Sequence, residues 1–121
     1  MKLTIIGSKA MNVETIRNQN DLFRLLGNTS YVPGKVVTTP GVEELSPDNQ
    51  RKLFKLVQTF SDFNEENDPY SEHDFGSVEL NGKTYFWKID YYDTDYQFGS
   101  TNPDDVSKTR RVLTIMKAND Y

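Results

Sequence analysis

A single histidine flanked by carboxylates is the group in this sequence best suited to chemistry. Glu72, His73 and Asp74 are consecutive, and Asp90 lies in the next β-rich stretch. An imidazole and several carboxylates that lie close together can bind a divalent metal ion or transfer protons as general acids and bases. Glu72, His73, Asp74 and Asp90 are therefore a candidate metal or acid-base site.

The same histidine has a structural alternative, which is a hydrogen bond to Asp90 across a β-ladder. This alternative is favoured because the chain has one histidine and no cysteine, and no second motif supports a metal centre. We therefore expect no catalytic residue, no bound metal and no cofactor. A small hydrolase or metal-dependent enzyme that uses His73 and its neighbouring carboxylates is kept as the alternative function.

Tyrosines interleaved with acidic residues form a second candidate site. Tyrosine provides contact area in protein interfaces, and carboxylates pair with arginine or lysine side chains of a partner. The alternative is a tyrosine-rich edge of the core with solvated carboxylates. The candidate partner-binding residues are Asp90, Tyr91, Tyr92, Asp93, Asp95, Tyr96, Asp104, Asp105, Glu65, Glu66 and Asp68.

The net charge of −4 is distributed unevenly along the chain. Residues 61–107 carry 12 acidic and 2 basic side chains, whereas the segments before and after them are net positive. Nucleic-acid binding depends on lysine and arginine side chains that neutralise phosphates, so this acidic middle disfavours direct nucleic-acid binding. We expect instead a protein partner with a basic surface.

A β-hairpin from Asp74 to Asp93 must position most of these residues. Its centre, Asn81-Gly82, predicts a two-residue type I′ turn because both residues tolerate positive φ. The predicted register pairs Leu80 with Lys83, Val78 with Tyr85, Gly76 with Trp87 and His73 with Asp90. The predicted apolar face carries Val78, Leu80, Tyr85, Trp87, Ile89 and Tyr91, with Gly76 leaving room for the indole.

Two helices and two further strands complete the predicted fold. Cap residues and apolar spacing predict helices over residues 13–26 and from Pro47 to about Phe60, with Arg17 and Arg24 on a solvated face. Residues 35–39 and 109–116 are predicted strands, the second beside residues 84–91, and a short strand is predicted at residues 3–6. The fold class is therefore α+β, an antiparallel sheet of three to four strands with both helices on one face.

The length of 121 residues predicts one domain, residues 1–121, with residues 1–12 as an idiosyncratic N-terminal extension. No apolar run approaches the roughly 18 residues of a membrane span, so no membrane association is expected. The lack of cysteine excludes thiolate chemistry and suits a reducing compartment. We expect a cytoplasmic protein.

Four segments of the chain resemble a known protein family. They are Asn-Asp-Pro-Tyr-Ser-Glu-His-Asp-Phe-Gly at 67–76, Phe-Trp-Lys-Ile-Asp-Tyr-Tyr-Asp at 86–93, Gly99-Ser100 with Asn102-Pro103, and Arg-Val-Leu-Thr-Ile-Met at 111–116. Over about residues 15–121 the chain resembles an uncharacterised domain-of-unknown-function family of small proteobacterial proteins, also found on plasmids and in phage-related regions. The resemblance implies a compact domain in a mobile-element context and assigns no catalytic residue.

These observations predict a non-catalytic binding protein that acts through an acidic, tyrosine-rich surface. In the mobile-element context, we expect an inhibitor of a host nucleic-acid-binding defence complex, of the anti-CRISPR or anti-restriction type. Its carboxylates would stand in for phosphates in a basic channel. A regulatory partner of a host protein is a further alternative.

Overall fold

The computed structural model describes residues 12–121, so the strand predicted at residues 3–6 lies outside the described residues. The helices are α1 (Val13–Leu26), α2 (Pro40–Glu43) and α3 (Pro47–Gln58). The strands are β1 (Gly34–Thr38), β2 (Phe75–Leu80), β3 (Lys83–Tyr92) and β4 (Arg110–Lys117), and a 3₁₀ turn follows at Ala118–Asp120. The predicted elements are confirmed to within about two residues at their ends, and α2 was not predicted.

The two long helices begin at the caps that the sequence indicates. The Asn12 side chain accepts a hydrogen bond from the Thr15 amide at 3.0 Å, and the Ser46 hydroxyl accepts one from the Asn49 amide at 3.1 Å. Gly27 ends α1 with a φ of 71°. Among residues 12–121, no helix has the length and apolar character needed to cross a membrane.

The sheet is mixed, with the strand order β1-β4-β3-β2. The strands β2, β3 and β4 are antiparallel neighbours, but β1 pairs with β4 in parallel. The expectation of a purely antiparallel sheet was therefore wrong for β1. The connection from β1 to β4 contains α3 and the hairpin. It brings the chain back to the end of the sheet where β1 begins, so β4 runs in the same direction as β1.

The central hairpin has the predicted turn and register. Asn81 and Gly82 have φ values of 53° and 77°, and Gly76 lies opposite Trp87 in the ladder. A Cβ atom on Gly76 would lie 2.4 Å from the indole nitrogen of Trp87, which is closer than non-bonded atoms can approach. Glycine at position 76 is therefore what allows the only tryptophan of the chain to be fully buried.

The core lies between the sheet and the two long helices, which pack on one face as predicted. Phe23 of α1 and Leu53 and Val57 of α3 form one buried cluster with apolar residues of β2, β3 and β4. Phe60, just after α3, contacts the Trp87 ring edge to face at a centroid distance of 5.6 Å.

The prediction that Arg24 is solvated was wrong, because only 6% of this residue is exposed. Arg24 lies one helical turn after Asn20, which is itself fully buried, so its stem faces the sheet. Its guanidinium lies 4.7 Å from the Trp87 ring centroid and donates a hydrogen bond to the Phe60 carbonyl at 2.9 Å. Leu26, the last residue of α1, is 57% exposed.

The Trp87→Ala substitution should lower the free energy of unfolding by about 3–5 kcal/mol, because it leaves a large cavity in the core. Urea unfolding followed by circular dichroism measures the loss. Phe98→Ala is the matched control, since Phe98 is 72% exposed and its truncation should change stability by less than about 0.5 kcal/mol. Equal effects of both substitutions would contradict the described core.

Candidate functional site

The topology brings the two acidic loops of the chain to the same end of the sheet. Strand β2 begins, β3 ends and β4 begins at this end. The loop of residues 61–74 leads into β2, and the loop of residues 93–109 connects β3 to β4. We call these two loops together the acidic end; the Asn81-Gly82 turn lies at the opposite end.

A buried arginine holds α1, β4 and the second loop together at the acidic end. Arg111 is fully buried, and its Nε donates a hydrogen bond to the Asn20 side chain at 2.6 Å. Its Nη2 donates to the Gln19 side chain at 2.9 Å and to the Pro103 carbonyl at 3.0 Å. Burial lowers the pKa of the Arg111 guanidinium, and nearby acidic groups oppose this shift.

Asn20 extends the same network to the first loop. Its amide nitrogen donates to the Glu72 carbonyl at 2.9 Å and to the Tyr91 hydroxyl at 2.8 Å. The Tyr91 hydroxyl in turn donates to the Glu72 carboxylate at 2.6 Å. Burial and the Glu72 carboxylate raise the pKa of Tyr91 well above its usual value, so the phenol stays protonated. Tyr91 was predicted to contact a partner, but its hydroxyl forms hydrogen bonds within the protein.

His73 does not pair with Asp90, so that prediction was wrong. Its Nδ1 lies 2.8 Å from the Asp21 carboxylate, and its Nε2 lies 3.6 Å from Asp68. The imidazole stacks on the Phe63 ring at a centroid distance of 3.7 Å. His73 has a φ of 56°, so the backbone turns out of the ladder before β2 begins and directs the ring toward α1.

Three of the four residues of the alternative metal site have separate partners. Glu72 accepts from Tyr91, His73 contacts Asp21 and Asp68, and the Asp90 carboxylate lies 3.1 Å from the Lys88 ammonium. In the part of the chain that the structure describes, no three His, Cys, Asp or Glu side chains are grouped so that they could hold a metal ion. The geometry assigns Glu72 and His73 to positioning the first loop.

Asp21 is a residue of the candidate site that the sequence analysis did not identify. It contacts His73 across 52 positions of the chain and also lies 3.4 Å from the Arg24 guanidinium. No local motif links residues so far apart in sequence. The one feature of the sequence that could have indicated this contact is that Asp21 directly follows Asn20 on the helix.

The predicted partner-binding acids fall into two groups. Glu65, Glu66 and Asp95 are exposed, as is Asp62 in the same loops. None of these four carboxylates forms an ion pair with a lysine or arginine in residues 12–121.

Asp90 lies on β3 and pairs with Lys88, and the other predicted acids shape the loops. Asp68 is 8% exposed and accepts from the His73 amide, and Asp105 accepts from the Ser107 amide. Asp93 accepts from the amides of residues 95 and 97, and the bond from residue 97 is the main reason that its pKa is lowered. Asp104 is half-buried, and its backbone carbonyl accepts from the Gln19 side chain.

Two predicted tyrosines also have intramolecular contacts. Tyr96 has a φ of 58°, and its ring lies 4.1 Å from the Lys35 ammonium, a cation-π contact. Tyr92 forms an isolated β-bridge with Gly99, which closes the loop after β3. Both rings are half-buried, so they give the acidic end a partly apolar border.

Arg111→Lys should lower the free energy of unfolding by about 1–3 kcal/mol, because a lysine leaves at least one buried acceptor without a donor. Chemical denaturation measures the loss. Arg110→Lys is the control, because Arg110 is only half-buried and donates to the carbonyls of Val106 and Thr109. An Arg111→Lys protein as stable as the control would show that the guanidinium does not hold the acidic end.

Asp74 should make the stability depend on pH. Burial is the main cause that raises the pKa of Asp74 to about 6, and the charge of Glu72 adds to it. Since the folded protein then binds this proton more tightly than the unfolded chain, ionisation of Asp74 favours unfolding. Its unfavourable contribution is absent below the unfolded pKa of 3.8 and grows as the pH rises to about 6.

Asp74→Asn should therefore stabilise the protein at pH 7.5 and have little effect at pH 3.5. Urea unfolding of the two proteins across this pH range measures the difference in their unfolding free energies. A difference that stays constant with pH would contradict the raised pKa.

The comparisons with known proteins agree with the resemblance at the level of the family. The model of a family of proteins of unknown function, DUF3768, matches residues 38–120. This range contains both acidic loops and the strands β2, β3 and β4, and it includes only the last residue of β1. No curated protein and no solved structure matches the chain. The chain belongs to the DUF3768 family of proteins of unknown function.

Proposed function

We propose that this protein is a non-catalytic binding protein that uses the acidic end to engage a basic surface of another protein. One observation carries the proposal. Exposed carboxylates from two loops, Asp62, Glu65 and Glu66 in one and Asp95 in the other, lie at one end of the sheet without cationic partners in residues 12–121. Uncompensated like charges repel one another, and a basic partner relieves that repulsion.

Three arginines that contact the acidic end form hydrogen bonds with neutral groups, and none of them forms an ion pair with these carboxylates in residues 12–121. Arg111 donates to neutral side chains and a carbonyl, Arg110 donates to two carbonyls, and Arg17 donates to the Ser71 carbonyl at 3.2 Å. These guanidinium groups stabilise the loops through backbone contacts and leave the exposed carboxylates available for a partner.

The specific role we propose is inhibition of a nucleic-acid-binding defence complex of the anti-CRISPR or anti-restriction type. Such a complex binds phosphates with clustered lysine and arginine side chains. Carboxylates held on two fixed loops present negative charge to the same side chains. The Arg111 network supports this role because it fixes both loops to one helix, and a preorganised surface loses less entropy on binding.

His73 has a structural role in this proposal. Both of its ring nitrogens face carboxylates, Asp21 at 2.8 Å and Asp68 at 3.6 Å, and its ring stacks on Phe63. A general base needs a ring nitrogen that can reach a substrate. The geometry therefore favours a histidine that fixes the first loop over one that performs catalysis.

Charge reversal at the acidic end should weaken partner binding at least about tenfold at physiological salt, mainly through slower association. The variant is the double substitution Glu66→Lys and Asp95→Lys, one residue in each loop. The partner is captured from source-cell extract with the tagged protein and identified by mass spectrometry. Its affinity for each purified variant is then measured by surface plasmon resonance at several salt concentrations.

The matched control is Glu44→Lys with Glu79→Lys, two exposed acids outside the acidic end whose reversal changes the net charge equally. The control should bind like the unmodified protein, and binding should weaken with salt because the Debye length is about 8 Å at physiological ionic strength. Equal loss in both double variants, or affinity that does not depend on salt, would contradict the proposal. If the captured partner still binds nucleic acid when it is saturated with this protein, the inhibitor role is excluded, but the binding function is not.

A further inference from the structure

Each loop of the acidic end carries one exposed aromatic ring. In residues 12–121, Tyr70 of the first loop is 77% exposed, and Phe98 of the second loop is 72% exposed. Neither ring forms an aromatic or cation-π contact within these residues. A ring exposed to water forgoes the free energy that its burial would contribute. Tyr70 and Phe98 are therefore candidates for contact with another molecule.

The backbone that carries Tyr70 is fixed on both sides of this residue. Before it, the buried Asp68 carboxylate accepts a hydrogen bond from the His73 amide at 3.0 Å. After it, the Ser71 amide donates to the Asp68 carbonyl at 3.1 Å. The Ser71 carbonyl in turn accepts from the Arg17 guanidinium of α1 at 3.2 Å. Tyr70 is therefore presented by a turn that is bonded to itself and to a helix.

The turn that carries Phe98 is built around a carboxylate in the same way. The Asp93 carboxylate accepts hydrogen bonds from the amides of Asp95 at 3.1 Å and Gln97 at 3.0 Å. The Asp93 amide donates to the Phe98 carbonyl at 2.8 Å. Both rings are therefore presented by turns with fixed backbones, and a partner that binds them does not have to order these loops.

Both loops are attached to the same edge of β3. The Ile89 amide donates to the Asp74 carbonyl at the end of the first loop, at 2.9 Å. The Tyr91 carbonyl accepts from the Ser100 amide in the second loop, at 3.0 Å. Residues two apart in a strand direct their backbone groups to the same edge and lie about 7 Å apart. The two loops are therefore neighbours, and their rings and carboxylates can be contacted by one partner.

Resting on the function proposed for the acidic end, we infer that the basic surface which it engages is one that binds single-stranded nucleic acid. Such surfaces combine lysine and arginine side chains that contact phosphates with aromatic side chains on which bases stack. The acidic end carries a counterpart of each group. Its exposed carboxylates replace the phosphates, and the rings of Tyr70 and Phe98 replace the bases.

A surface that binds duplex DNA fits the two rings less well. Proteins contact a duplex at its phosphates and at the base edges in its grooves, because the faces of the bases are stacked on one another. An exposed ring would have no stacking partner on such a surface. Carboxylates alone would fit either kind of surface, so Tyr70 and Phe98 are the residues that favour the single-strand class.

Two peptides of equal charge test the role of the rings. One consists of five Arg-Trp repeats and the other of five Arg-Gly repeats, and isothermal titration calorimetry measures their affinities for the full chain. The full chain should bind the Arg-Trp peptide at least about fivefold more tightly, because its indoles can stack on the exposed rings. The double variant Tyr70→Ser with Phe98→Ser should bind both peptides equally, with the affinity that the natural chain has for the Arg-Gly peptide.

The matched control is Tyr31→Ser with Tyr121→Ser, which removes two rings that are 75% and 76% exposed and lie outside both loops. This control should keep the preference for the Arg-Trp peptide, and circular dichroism melting verifies that each variant is folded. Equal binding of both peptides by the natural chain would overturn the inference. So would a preference that the Tyr70 and Phe98 variant keeps or that the control loses as well.

The same titrations separate this inference from the proposed function. If Glu66→Lys with Asp95→Lys weakens binding of the Arg-Gly peptide while the rings have no effect, the acidic end binds cations and only the inference fails. If the natural chain binds neither peptide, the proposed function and the inference fail together.

Competition for the captured partner tests the class of surface directly. Single-stranded oligothymidine should displace this protein from the partner at a lower concentration than duplex DNA that contains the same amount of phosphate. Displacement by the duplex at an equal or lower concentration, or displacement by neither nucleic acid, would overturn the assignment to a single-strand-binding surface.

Discussion

The buried guanidinium of Arg111 is the constraint on which the arrangement of the acidic end depends. A buried charge costs free energy that hydrogen bonds offset, and Arg111 finds acceptors for its Nε and Nη2 groups on α1 and on the loop after β3, whereas its buried Nη1 has no hydrogen-bond partner among the described residues. Asn20 accepts one of these bonds and donates two others, to Tyr91 and to the backbone of Glu72. Loss of one member leaves several buried polar groups without partners. The two loops are therefore fixed by the same network and not independently.

The same network determines which charges reach the surface. Arg110 and Arg111 bond to neutral side chains and carbonyls, and in residues 12–121 they form no ion pair with the exposed carboxylates of the acidic loops. Within these loops, carboxylates that accept backbone amides, such as Asp68 and Asp93, determine the loop conformation. Those without such bonds, such as Glu65 and Asp95, are exposed. The acidic end therefore combines a structural set of carboxylates with an accessible set, and the proposed function assigns the partner contact to the second set.

The sequence predicted those parts of the fold that depend on local chemistry. The Asn81-Gly82 turn specifies its own register, and the caps at Asn12 and Ser46 specify where helices begin. The parallel pairing of β1 was not predictable in this way, because strand direction depends on a long connection. Composition showed that residues 61–107 are acidic, but it could not distinguish structural carboxylates from accessible ones. Arg24 and the contact between Asp21 and His73 were missed because arginine is rarely buried and because the contact joins distant segments.

An NMR titration tests the central claim, that the acidic end is the surface at which this protein binds cations. The ¹⁵N-labelled protein is titrated with a deca-arginine peptide at low salt, and amide shift changes are followed along the chain. The account predicts saturable changes in residues 61–74 and 93–109 together, and little change near the exposed acids Glu44 and Glu79. Changes spread evenly over all exposed acids, or confined to one of the two loops, would contradict it.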